Sequence, residues 1–355
     1  MSLDNLRRKI NRIDYGILKL LQERTELALR TKKFKEAIHD REREAQILEQ
    51  LKKYSSILNL IQGDFVEKLF TEIIRENRKF QEKKKSLIGF QGEHGAFGEV
   101  AARYYDSDLV TIPCSEFVDV FEAVEREYMD FGVVPVENSL GGAVTQVNEL
   151  LIKTNLKVAA AVKLRINHCL LALPESDYRE LRVVYSHPQA LSQCRNFLNR
   201  NNLETRPFYD TAGAAQMLAR EKPKMAATIA SKLCAELYNL EIIKENIEDN
   251  PSNFTRFFIL AREEKKVPAN RCSIVFSTPH KAGTLFSVLR IFAEADINLT
   301  RIESLPFRDD PGHYVFFLDF QCEDVQNSIE DILEKVKQKI KIFKYLGCYQ
   351  EEVFQ

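Results

Sequence analysis

Apolar positions in the first 85 residues recur with the period of a helix. Leucine or isoleucine stands at residues 6, 10, 13, 17, 20 and 27, a spacing that predicts one long helix with a buried stripe. Further helices are predicted over 40–53 and 64–84. This stretch contains no proline, and its only glycines are Gly16 and Gly63. Residues 1–85 are therefore predicted to form an all-helical domain, which ends in the charged linker QEKKKS at 81–86.

From Leu87 onward the pattern is different. Short apolar runs (LIGF, FGVVPV, LRVVY and KMAATIA) alternate with helical stretches and are separated by turn residues. This alternation predicts an α/β domain with a largely parallel sheet over 86–265. The ligand of such a domain is expected at the carboxyl ends of the strands.

The pattern changes again in the last part of the chain, and a third domain is predicted over 270–355. Its predicted elements are strand 272–278, helix 284–295, strand 297–306, a DDPG turn at 309–312, strand 313–321, helix 325–340 and strand 341–349. This βαββαβ order is that of a ferredoxin-like domain.

Composition narrows the class of protein. A chain of 355 residues is long enough for two or three domains, and its net charge of −1 argues against nucleic acid or an anionic membrane as the main partner. No apolar run approaches the roughly 20 residues that span a bilayer, and the charged N-terminus lacks the apolar core of a signal peptide. The seven cysteines and six histidines are scattered, without a C-x-x-C pair. We expect a reduced, cytoplasmic protein that needs neither a metal nor a cofactor.

Cations interrupt the apolar stripe of the helical segment. Arg24 lies within the stripe, and Lys35 follows about eleven residues later at almost the same helical angle. Long cations often snorkel at the surface of a helical bundle, which is one explanation. The other two helices, however, also place hydrogen-bonding groups on one face: Asp40, Arg43 and Glu44 in the second, Asn77 and Gln81 in the third. Because buried unpaired cations are costly, this pattern predicts an anion-binding site.

The helical segment resembles the all-helical chorismate mutases over its whole length. The family has an early arginine, a second one in E-R-x-E-L, a lysine, D-x-x-R-E and a late glutamine, and this chain has each of them. The resemblance implies site residues from all three helices: Arg7, Arg24 and Arg43 for the two carboxylates of chorismate, Lys35 and Gln81 for its ether oxygen, Glu44 and Asp40 for its ring hydroxyl, and Asn77 where the family often has serine. A pericyclic rearrangement needs no nucleophile, only a compact conformer and positive donors at the oxygen that gains charge.

The spacing of two of these residues has a further consequence. Arg7 and Lys35 lie on one predicted helix and are separated by roughly 42 Å at ~1.5 Å per residue. They cannot hold one small molecule from the same chain. If both serve a site, Arg7 reaches into the site of a partner subunit, and we expect a homodimer or a higher homo-oligomer.

Polar clusters follow several predicted strands of the α/β segment. Glu137, Asn138 and Ser139 follow FGVVPV, a Ser-His-Pro-Gln run at 186–189 follows LRVVY, and an Asp-Thr pair at 210–211, a typical helix N-cap, follows RPFY. The glycines of GFQGEHGAFGEVAA at 89–102 match neither a dinucleotide motif nor a P-loop, although a helix N-terminus there could bind a carboxylate. Each cluster alone is explained by a turn after the strand. Together with NFTRF at 253–257, the clusters indicate a binding or catalytic site.

This segment resembles prephenate dehydratase over residues 87–262, in the motifs GFQGEHGAF, VPVENSLGG, SHPQAL, DTAGAA and NFTRFFIL. The resemblance implies a two-lobed α/β domain in which Thr255 is the essential hydroxyl and helps the ring hydroxyl of prephenate leave as CO₂ is lost. Arg256 is implied to bind a substrate carboxylate or to orient Thr255. The remaining implied binding residues are Glu137, Asn138, Ser139, Gln189 and Phe257. We interpret His187 as structural because the reaction needs no base.

The last segment resembles the ACT domain, a small module that senses amino acids. Gly283, Thr284 and Leu285 match the family's first turn, and Glu303, Ser304 and Leu305 lie in its second strand. These six residues are implied to form the site of the effector. Members regulated by phenylalanine commonly read E-S-R-P, whereas this chain has leucine at 305. We therefore expect phenylalanine to bind and to inhibit, with weakened coupling.

The three resemblances occur in the order found in bifunctional chorismate mutase/prephenate dehydratases that are inhibited by phenylalanine. This order predicts an enzyme that converts chorismate to prephenate and prephenate to phenylpyruvate. Two alternatives remain open from sequence. One is an enzyme that prefers arogenate, the transaminated substrate. The other is a ligand sensor without enzymatic activity, because two-lobed α/β domains also bind small acids.

Overall fold

The computed structural model describes residues 3–34, 38–83, 85–264, 268–279, 281–306, 314–323, 329–340 and 342–354. The chain divides into two compact units, Met1–Ser86 and Leu87–Gln355. None of the helices formed by the described residues combines the length and the apolar character needed to cross a membrane.

The first unit contains the three predicted helices. They are α1 (Leu3–Thr31), α2 (Arg41–Ser55) and α3 (Gly63–Glu82). Asp40 starts α2 by accepting a hydrogen bond from the backbone N–H of Arg43 at 3.0 Å. The end of α1 differs from the prediction of a helix continuous to Lys35. The α-helix ends at Thr31, a short 3₁₀ turn follows over Lys32–Phe34, and Lys35 lies outside the described residues.

The second unit contains strands and helices in alternation, as the apolar runs predict. Its strands are β1 (Leu87–Gln91), β2 (Val110–Cys114), β3 (Phe131–Asn138), β4 (Gly142–Ala143), β5 (Lys157–Arg165), β6 (Cys169–Ala172), β7 (Val183–Ser186), β8 (Glu204–Pro207), β9 (Ala226–Ala230), β10 (Glu241–Lys244), β11 (Phe254–Ala261), β12 (Arg271–Thr278), β13 (Leu299–Pro306), β14 (Tyr314–Gln321) and β15 (Ile342–Phe354). Its helices are α4 (Phe97–Tyr105), α5 (Phe117–Glu125), α6 (Thr145–Lys153), α7 (Pro188–Gln193), α8 (Arg195–Arg200), α9 (Thr211–Glu221), α10 (Lys232–Tyr238), α11 (Thr284–Glu294) and α12 (Ile329–Lys337).

The α/β part has two lobes, each built on its own sheet. The first lobe has strand order β5-β11-β3-β1-β2, and the second has order β10-β6-β9-β7-β8. The prediction of a largely parallel sheet is only partly right. In the first lobe β1 pairs in parallel with β2 and β3, but β11 runs antiparallel to both β3 and β5. This insertion of a late strand brings Thr255 opposite Asn138 and Arg256 opposite Glu137.

The last part forms the predicted βαββαβ fold, with sheet order β13-β14-β12-β15. Its core lies between one face of the sheet and the helices α11 and α12, where Phe276, Phe292 and Phe320 are fully buried. The predicted DDPG turn at 309–312 lies outside the described residues. Burial of each of the three phenylalanine side chains in this core stabilises the folded state by roughly 1.5–3 kcal/mol.

Strand β15 joins the sheet of the first lobe to the sheet of the last part. The sequence pattern predicts that the strand ends at 349, but it continues to Phe354. Its first half pairs antiparallel with β12, and its second half pairs in parallel with β5. The change of partner occurs between Tyr349 and Gln350. A few residues earlier, Gly347 has a φ of 137°, and an added Cβ there would lie 2.9 Å from the carbonyl oxygen of Val158 on β5. Glycine is needed there because both the backbone conformation and the space exclude a side chain.

Candidate active sites and effector site

Three predicted residues of the helical unit meet between α1 and α3. Arg24 donates a hydrogen bond to the side-chain oxygen of Asn77, and Asn77 donates to the hydroxyl of Thr25 at 2.8 Å. Gln81 lies one turn further along α3 and donates to the backbone oxygen of Ala28. Asn77 and Gln81 are buried, and partial burial lowers the pKa of Arg24 below its usual value. A guanidinium, two amides and a hydroxyl thus lie together between α1 and α3.

The predicted residues of α2 have separate partners. The side chain of Asp40 is used as the helix cap. Glu44 lies one turn later and pairs with Arg78 of α3 at 3.6 Å and with His39 at 3.5 Å. The structure therefore brings Glu44 to α3, whereas Asp40 already has a structural role.

Arg7 lies far from the other predicted cations of the helical unit. It is exposed near the start of α1, and the rise of a helix separates it from Arg24 by about 26 Å. Apolar side chains around it are exposed as well, including Leu6 at 43%, Ile13 at 61% and Leu20 at 66%. The predicted stripe of α1 is therefore not covered by the described residues of its own unit over most of its length.

A cavity of about 510 Å³ lies between the two lobes of the second unit. Thr255, Phe257 and Asn138 line it from the first lobe, and Gln189 and His187 line it from the second. Pockets of this kind typically measure ~300–1,000 Å³ and hold small molecules. Five polar or aromatic residues named by the sequence motifs therefore meet in one place.

The hydroxyl of Thr255 is held by Asn138. The side-chain nitrogen of Asn138 donates to the Thr255 hydroxyl oxygen at 2.9 Å and to the side-chain oxygen of Asn253 at 2.7 Å. The Asn138 oxygen accepts from the backbone N–H groups of Leu140 and Gly141 at 3.1 and 2.7 Å, which fixes the amide in this orientation. Since the Thr255 oxygen is an acceptor here, its proton can be presented to a ligand in the cavity.

Glu137, Ser139 and Arg256 are not among the lining residues of this cavity. Ser139 connects two backbone segments, because its hydroxyl donates to the oxygen of Ser252 and accepts from the N–H of Phe254, both at 2.9 Å. Glu137 faces the other side of its strand. Glu137 and Arg256 are neighbours of the lining residues Asn138 and Thr255 on β3 and β11, and successive side chains of a strand point to opposite faces. Substrate binding by Glu137, Ser139 and Arg256 stays a prediction.

Arg256 is buried on the face of β11 opposite the cavity. It pairs with Asp319 and Glu351 and donates to the hydroxyl of Tyr349 at 2.8 Å. Glu137 lies 3.7 Å from it. Burial by itself lowers the pKa of Arg256, but Tyr349, Asp319 and Glu351 raise it well above its usual value. The sequence predicts that Arg256 binds a carboxylate or orients Thr255, and in the structure four polar partners surround its guanidinium.

His187 has the structural role that the sequence predicts. It caps α7, with its ring nitrogen accepting from the N–H of Gln189 at 3.2 Å. Burial lowers the pKa of His187, which favours the neutral ring that can accept this bond. Gln189 also approaches Gly141 so closely that an added Cβ there would lie 2.6 Å from its side-chain nitrogen.

Several lining residues are missing from the sequence prediction. His168 is buried and contacts Gln193 at 2.9 Å, and both line the cavity. Asp210 is the N-cap of α9 and also lines the cavity, and burial raises the pKa of its carboxyl. Asp210 belongs to the Asp-Thr pair that follows RPFY, so its position offered a signal, whereas Gln193 is the last residue of α7. His168 stands in no polar cluster, and only the three-dimensional fold brings it to the cavity.

No lysine or arginine lines the cavity among the described residues, but uncapped helix N-termini do. Ala96 at the start of α4 and Val144 at the start of α6 both line it, and neither helix start has a side-chain cap. The first N–H groups of a helix lack intrahelical partners and carry partial positive charge. Both starts therefore offer donors to a carboxylate.

A second cavity, of about 460 Å³, lies beside the start of α11. Of the predicted effector residues, Gly283, Thr284, Leu285 and Ser304 line it. Glu303 and Leu305 do not, because they alternate with Ser304 along β13 and point to the other face of the strand. Glu303 instead accepts a hydrogen bond from Arg301 at 3.3 Å. A role of these two residues in the effector site stays a prediction.

Family models match three successive parts of the chain. Chorismate mutase type II matches residues 6–82, Prephenate dehydratase matches residues 88–265, and the ACT domain matches residues 273–338. These ranges cover the helical unit, both lobes around the first cavity, and the domain that contains the second cavity.

Relatives resemble the whole chain or its last three quarters. The bifunctional chorismate mutase/prephenate dehydratase of Aquifex aeolicus (strain VF5) is 33% identical over 100% of this chain and 99% of its own length. Arogenate dehydratase/prephenate dehydratase 2 of Arabidopsis thaliana is 40% identical over 74% of this chain and 72% of its own length.

Solved structures resemble the second unit. The prephenate dehydratase of Arthrobacter aurescens in complex with L-Phe is 28% identical and covers 74% of this chain and 89% of its own, with a TM-score of 0.68. A structure described as the quorum quenching acylase GqqA is 30% identical and covers 75% of this chain and 98% of its own, with a TM-score of 0.69.

Proposed function

Because the chain belongs to the family of bifunctional chorismate mutase/prephenate dehydratases, we propose that its two units divide two successive reactions between them. The helical unit rearranges chorismate to prephenate. The two-lobed cavity converts prephenate to phenylpyruvate with loss of water and CO₂. The observation that carries this proposal is the hydrogen bond from Asn138 to Thr255 at the edge of a cavity lined by both lobes.

In the mutase reaction, Arg24 and Gln81 are the described residues best placed to act on chorismate. Both lie on the buried face between α1 and α3, where Asn77 links Arg24 to Thr25. The transition state concentrates negative charge on the ether oxygen, and preorganised donors stabilise that charge. We assign Gln81, together with Lys35, to this oxygen, and Arg24, Arg43 and Arg7 to the carboxylates. Glu44 and Asp40 are assigned to the ring hydroxyl.

The mutase site is proposed to lie between two copies of the chain. Arg7 and Arg24 lie on the same helix about 26 Å apart, too far to bind one small molecule together. The exposed apolar stripe around Arg7 supports a surface that a second copy covers. In such a dimer Arg7 of each chain reaches the carboxylate of the substrate held by Arg24 of the other.

In the dehydratase reaction, Thr255 assists the departure of the ring hydroxyl. The bond from the ring to the carboxylate breaks, its electrons form a ring double bond, and the C–O bond to the hydroxyl breaks as the ring becomes aromatic. The leaving oxygen needs a proton or a strong hydrogen bond. Asn138 holds the Thr255 oxygen as an acceptor, so the Thr255 proton is free to point at the leaving group.

The carboxylates of prephenate are proposed to bind at helix starts. The first turns of α4 and α6 supply N–H groups to the cavity, and no lysine or arginine is among its described lining residues. Gln189 and Phe257 complete the proposed contacts from the two lobes. This arrangement replaces Arg256 as the proposed carboxylate binder.

Prephenate is favoured over arogenate because the helical unit produces prephenate. Relatives that share 99% or 100% of this chain are named for prephenate, whereas a relative named for both substrates covers 74% of it. A test supplies the purified full chain with prephenate and with arogenate in separate reactions. We expect phenylpyruvate from prephenate at a higher kcat/KM than phenylalanine from arogenate, and the reverse ratio would contradict the assignment.

Phenylalanine is proposed to bind the second cavity and to inhibit the dehydratase. Gly283 and Leu285 offer the backbone groups and apolar surface that an aromatic amino acid needs, and Ser304 adds a hydroxyl. The solved relative from Arthrobacter aurescens contains L-Phe, which supports this ligand. Leu305 lies on the other face of β13, so its replacement of the family's usual arginine leaves the described lining of the cavity intact.

A further inference from the structure

Arg256 lies at the centre of a buried ionic cluster that connects the first lobe to the ferredoxin-like domain. We name the following residues the Arg256 cluster: Glu137, Arg256, Ser273, Arg301, Asp319, Tyr349 and Glu351. Asp319 contacts three other members of the cluster. It pairs with Arg256, accepts from the hydroxyl of Ser273 at 2.5 Å and lies 3.8 Å from Arg301.

Tyr349 and Arg301 close the cluster on two sides. The Tyr349 hydroxyl accepts from Arg256 at 2.8 Å and lies 2.6 Å from the hydroxyl of Ser273. Arg301 lies 3.4 Å from Glu137 and donates to the side-chain oxygen of Asn148 at 3.1 Å. Arg256 and Arg301 therefore both contact residues of the opposite domain, and both are nearly inaccessible to solvent.

On the dehydratase side, the cluster alternates with the catalytic groups. Thr255 faces the cavity and Arg256 faces the cluster on β11, while Asn138 faces the cavity and Glu137 faces the cluster on β3. The two strands are paired so that Thr255 lies opposite Asn138 and Arg256 lies opposite Glu137. A displacement of the cluster therefore moves both members of the Asn138–Thr255 hydrogen bond.

On the regulatory side, the strands of the cluster also line the effector cavity. Strand β12 carries Ser273 and Thr278, β14 carries Asp319 and Phe316, and β13 carries Arg301 and Ser304. In each pair the first residue belongs to the cluster and the second lines the cavity. Ser273 and Arg301 both lie opposite Asp319 in the register of the sheet. A ligand that moves these strands has a short path to Arg256.

We propose that Arg256 is a positioning residue that does not touch substrate. Through Asp319 and Tyr349 it fixes Thr255 and Asn138 relative to the ferredoxin-like sheet, and occupancy of the effector cavity acts on catalysis through this contact. The inference rests on the proposed dehydratase function. It differs from a merely structural ion pair, because a structural pair affects stability while leaving kcat and the response to effector unchanged in the folded enzyme.

The test uses Asp319→Asn in the full chain, with three readouts. Asparagine keeps the shape of the side chain and removes the charge that Arg256 binds. We expect kcat for prephenate to fall about tenfold or more, since small misplacements of a catalytic group are costly, while KM stays within about twofold. Calorimetry should still detect phenylalanine binding, but saturating phenylalanine should change prephenate turnover less than in the wild type. Mutase turnover of chorismate should be unchanged.

Lys344→Met provides the matched control. Lys344 lies on β15 and donates to backbone oxygens of Ile152 and Thr154, so it also connects the two domains, but it has no contact with the cluster. We expect wild-type kcat and a wild-type response to phenylalanine in this variant. If Lys344→Met lowered kcat and the response to phenylalanine as much as Asp319→Asn does, any weakening of the interface would have the same effect. That result would overturn the role of Arg256.

Tyr349→Phe is the second variant and removes one hydroxyl from the cluster without leaving a charge unpaired. If Asp319→Asn does not fold, Tyr349→Phe should still show the same split, with lower kcat, unchanged KM and weakened response to phenylalanine. Unchanged kcat and response in either folded variant would overturn the inference. Absence of prephenate turnover in the wild type would instead refute the proposed function, so the two failures are distinguishable.

Discussion

Thr255 and Arg256 are adjacent in the chain and face opposite sides of one strand, and this difference separates their roles. The T-R-F motif identifies both residues, but the motif alone does not say which of them meets the substrate. Thr255 lines the cavity with Asn138, whereas Arg256 is enclosed by Asp319, Tyr349 and Glu351. The partners of Arg256 lie 63 to 95 residues further along the chain, so no local pattern could predict them.

The role of Thr255 as a proton or hydrogen-bond donor predicts a difference between two conservative variants. Thr255→Val keeps the shape and removes the hydroxyl, so kcat for prephenate should fall by roughly 10²–10⁴-fold. Thr255→Ser keeps the hydroxyl and should retain more activity than Thr255→Val. Steady-state rates with prephenate measure both, and chorismate turnover in the same preparations serves as the control. Equal activity of the two variants would contradict a role for the hydroxyl.

Glu99 is a buried carboxylate whose contribution depends on pH. Burial raises the pKa of its carboxyl, but hydrogen bonds from His94 and Gly95 and the charge of Arg103 outweigh that effect and lower it to about 2 from 4.5. A carboxyl with a depressed folded pKa stabilises the fold above its unfolded pKa and loses this contribution as pH falls toward 2. At ~1.36 kcal/mol per pKa unit, the contribution at neutral pH is about 3 kcal/mol.

Glu99→Gln should therefore lower the free energy of unfolding at pH 7, and the decrease should be smaller at acidic pH. Urea unfolding of both proteins between pH 7 and pH 3 measures the difference, which should narrow as pH falls below about 4.5. A difference that stays constant over this range would mean that the ionised carboxylate is not the stabilising group.

At the scale of elements, the proposal of a mutase site shared by two chains rests on helix α1. The sequence predicts the helix, but the six residues of its apolar stripe are exposed, and the α-helix ends at Thr31 instead of extending to Lys35. Arg7 and Arg24 both lie on this helix, too far apart to bind one small molecule together, so Arg24 can replace Lys35 in the inference that the site is shared. Periodicity predicts where a helix runs, but its last turn depends on contacts such as that of Lys32 with the backbone oxygen of Gln81 at 2.6 Å.

A subunit-mixing experiment tests the shared site. Arg7→Ala and Arg24→Ala chains should each lack mutase activity, and mixing them under conditions of subunit exchange should restore one intact site in each mixed dimer. Equal mixing should give about a quarter of wild-type activity, because half of the dimers are mixed and each has one working site. Labelled chains report the exchange. Full exchange without recovered activity would refute a site built from two chains.

The second pairing partner of strand β15 cannot be predicted from periodicity alone. Its alternation predicts a strand that closes the ferredoxin-like fold, and β15 does pair with β12. Its continuation beyond residue 349 pairs it with β5 of the first lobe, a partner that lies far away in the sequence. Tyr349 and Glu351 reach Arg256 because of this continuation.

At the scale of the whole molecule, the order of domains and the fold class follow from the sequence, because each part has its own period. The motifs also identify residues that line both cavities, among them Thr255 and Asn138 at the first and Gly283 and Ser304 at the second. The predicted site residues on the strands that do not line a cavity have one feature in common. Glu137, Arg256, Glu303 and Leu305 each stand next to a cavity residue in the chain and point to the other face of their strand. A motif identifies the strand, but the alternation of side chains along the strand determines which of its residues face the ligand.

Binding of phenylalanine and of substrate should be coupled reciprocally across this unit. If phenylalanine lowers the affinity for a prephenate analogue by some factor, the analogue must lower the affinity for phenylalanine by the same factor. Calorimetric titration of each ligand, alone and with the other saturating, measures both factors. Unequal factors would indicate a second binding site, and no heat at millimolar phenylalanine would mean that the effector cavity binds another ligand.

The central claim is that one chain carries out both reactions in sequence. The most direct measurement incubates the purified full-length protein with chorismate alone and follows chorismate, prephenate and phenylpyruvate with time. We predict that chorismate is consumed, that prephenate appears first and that phenylpyruvate then accumulates without any added enzyme. Accumulation of prephenate as the final product, or no consumption of chorismate, would contradict the account.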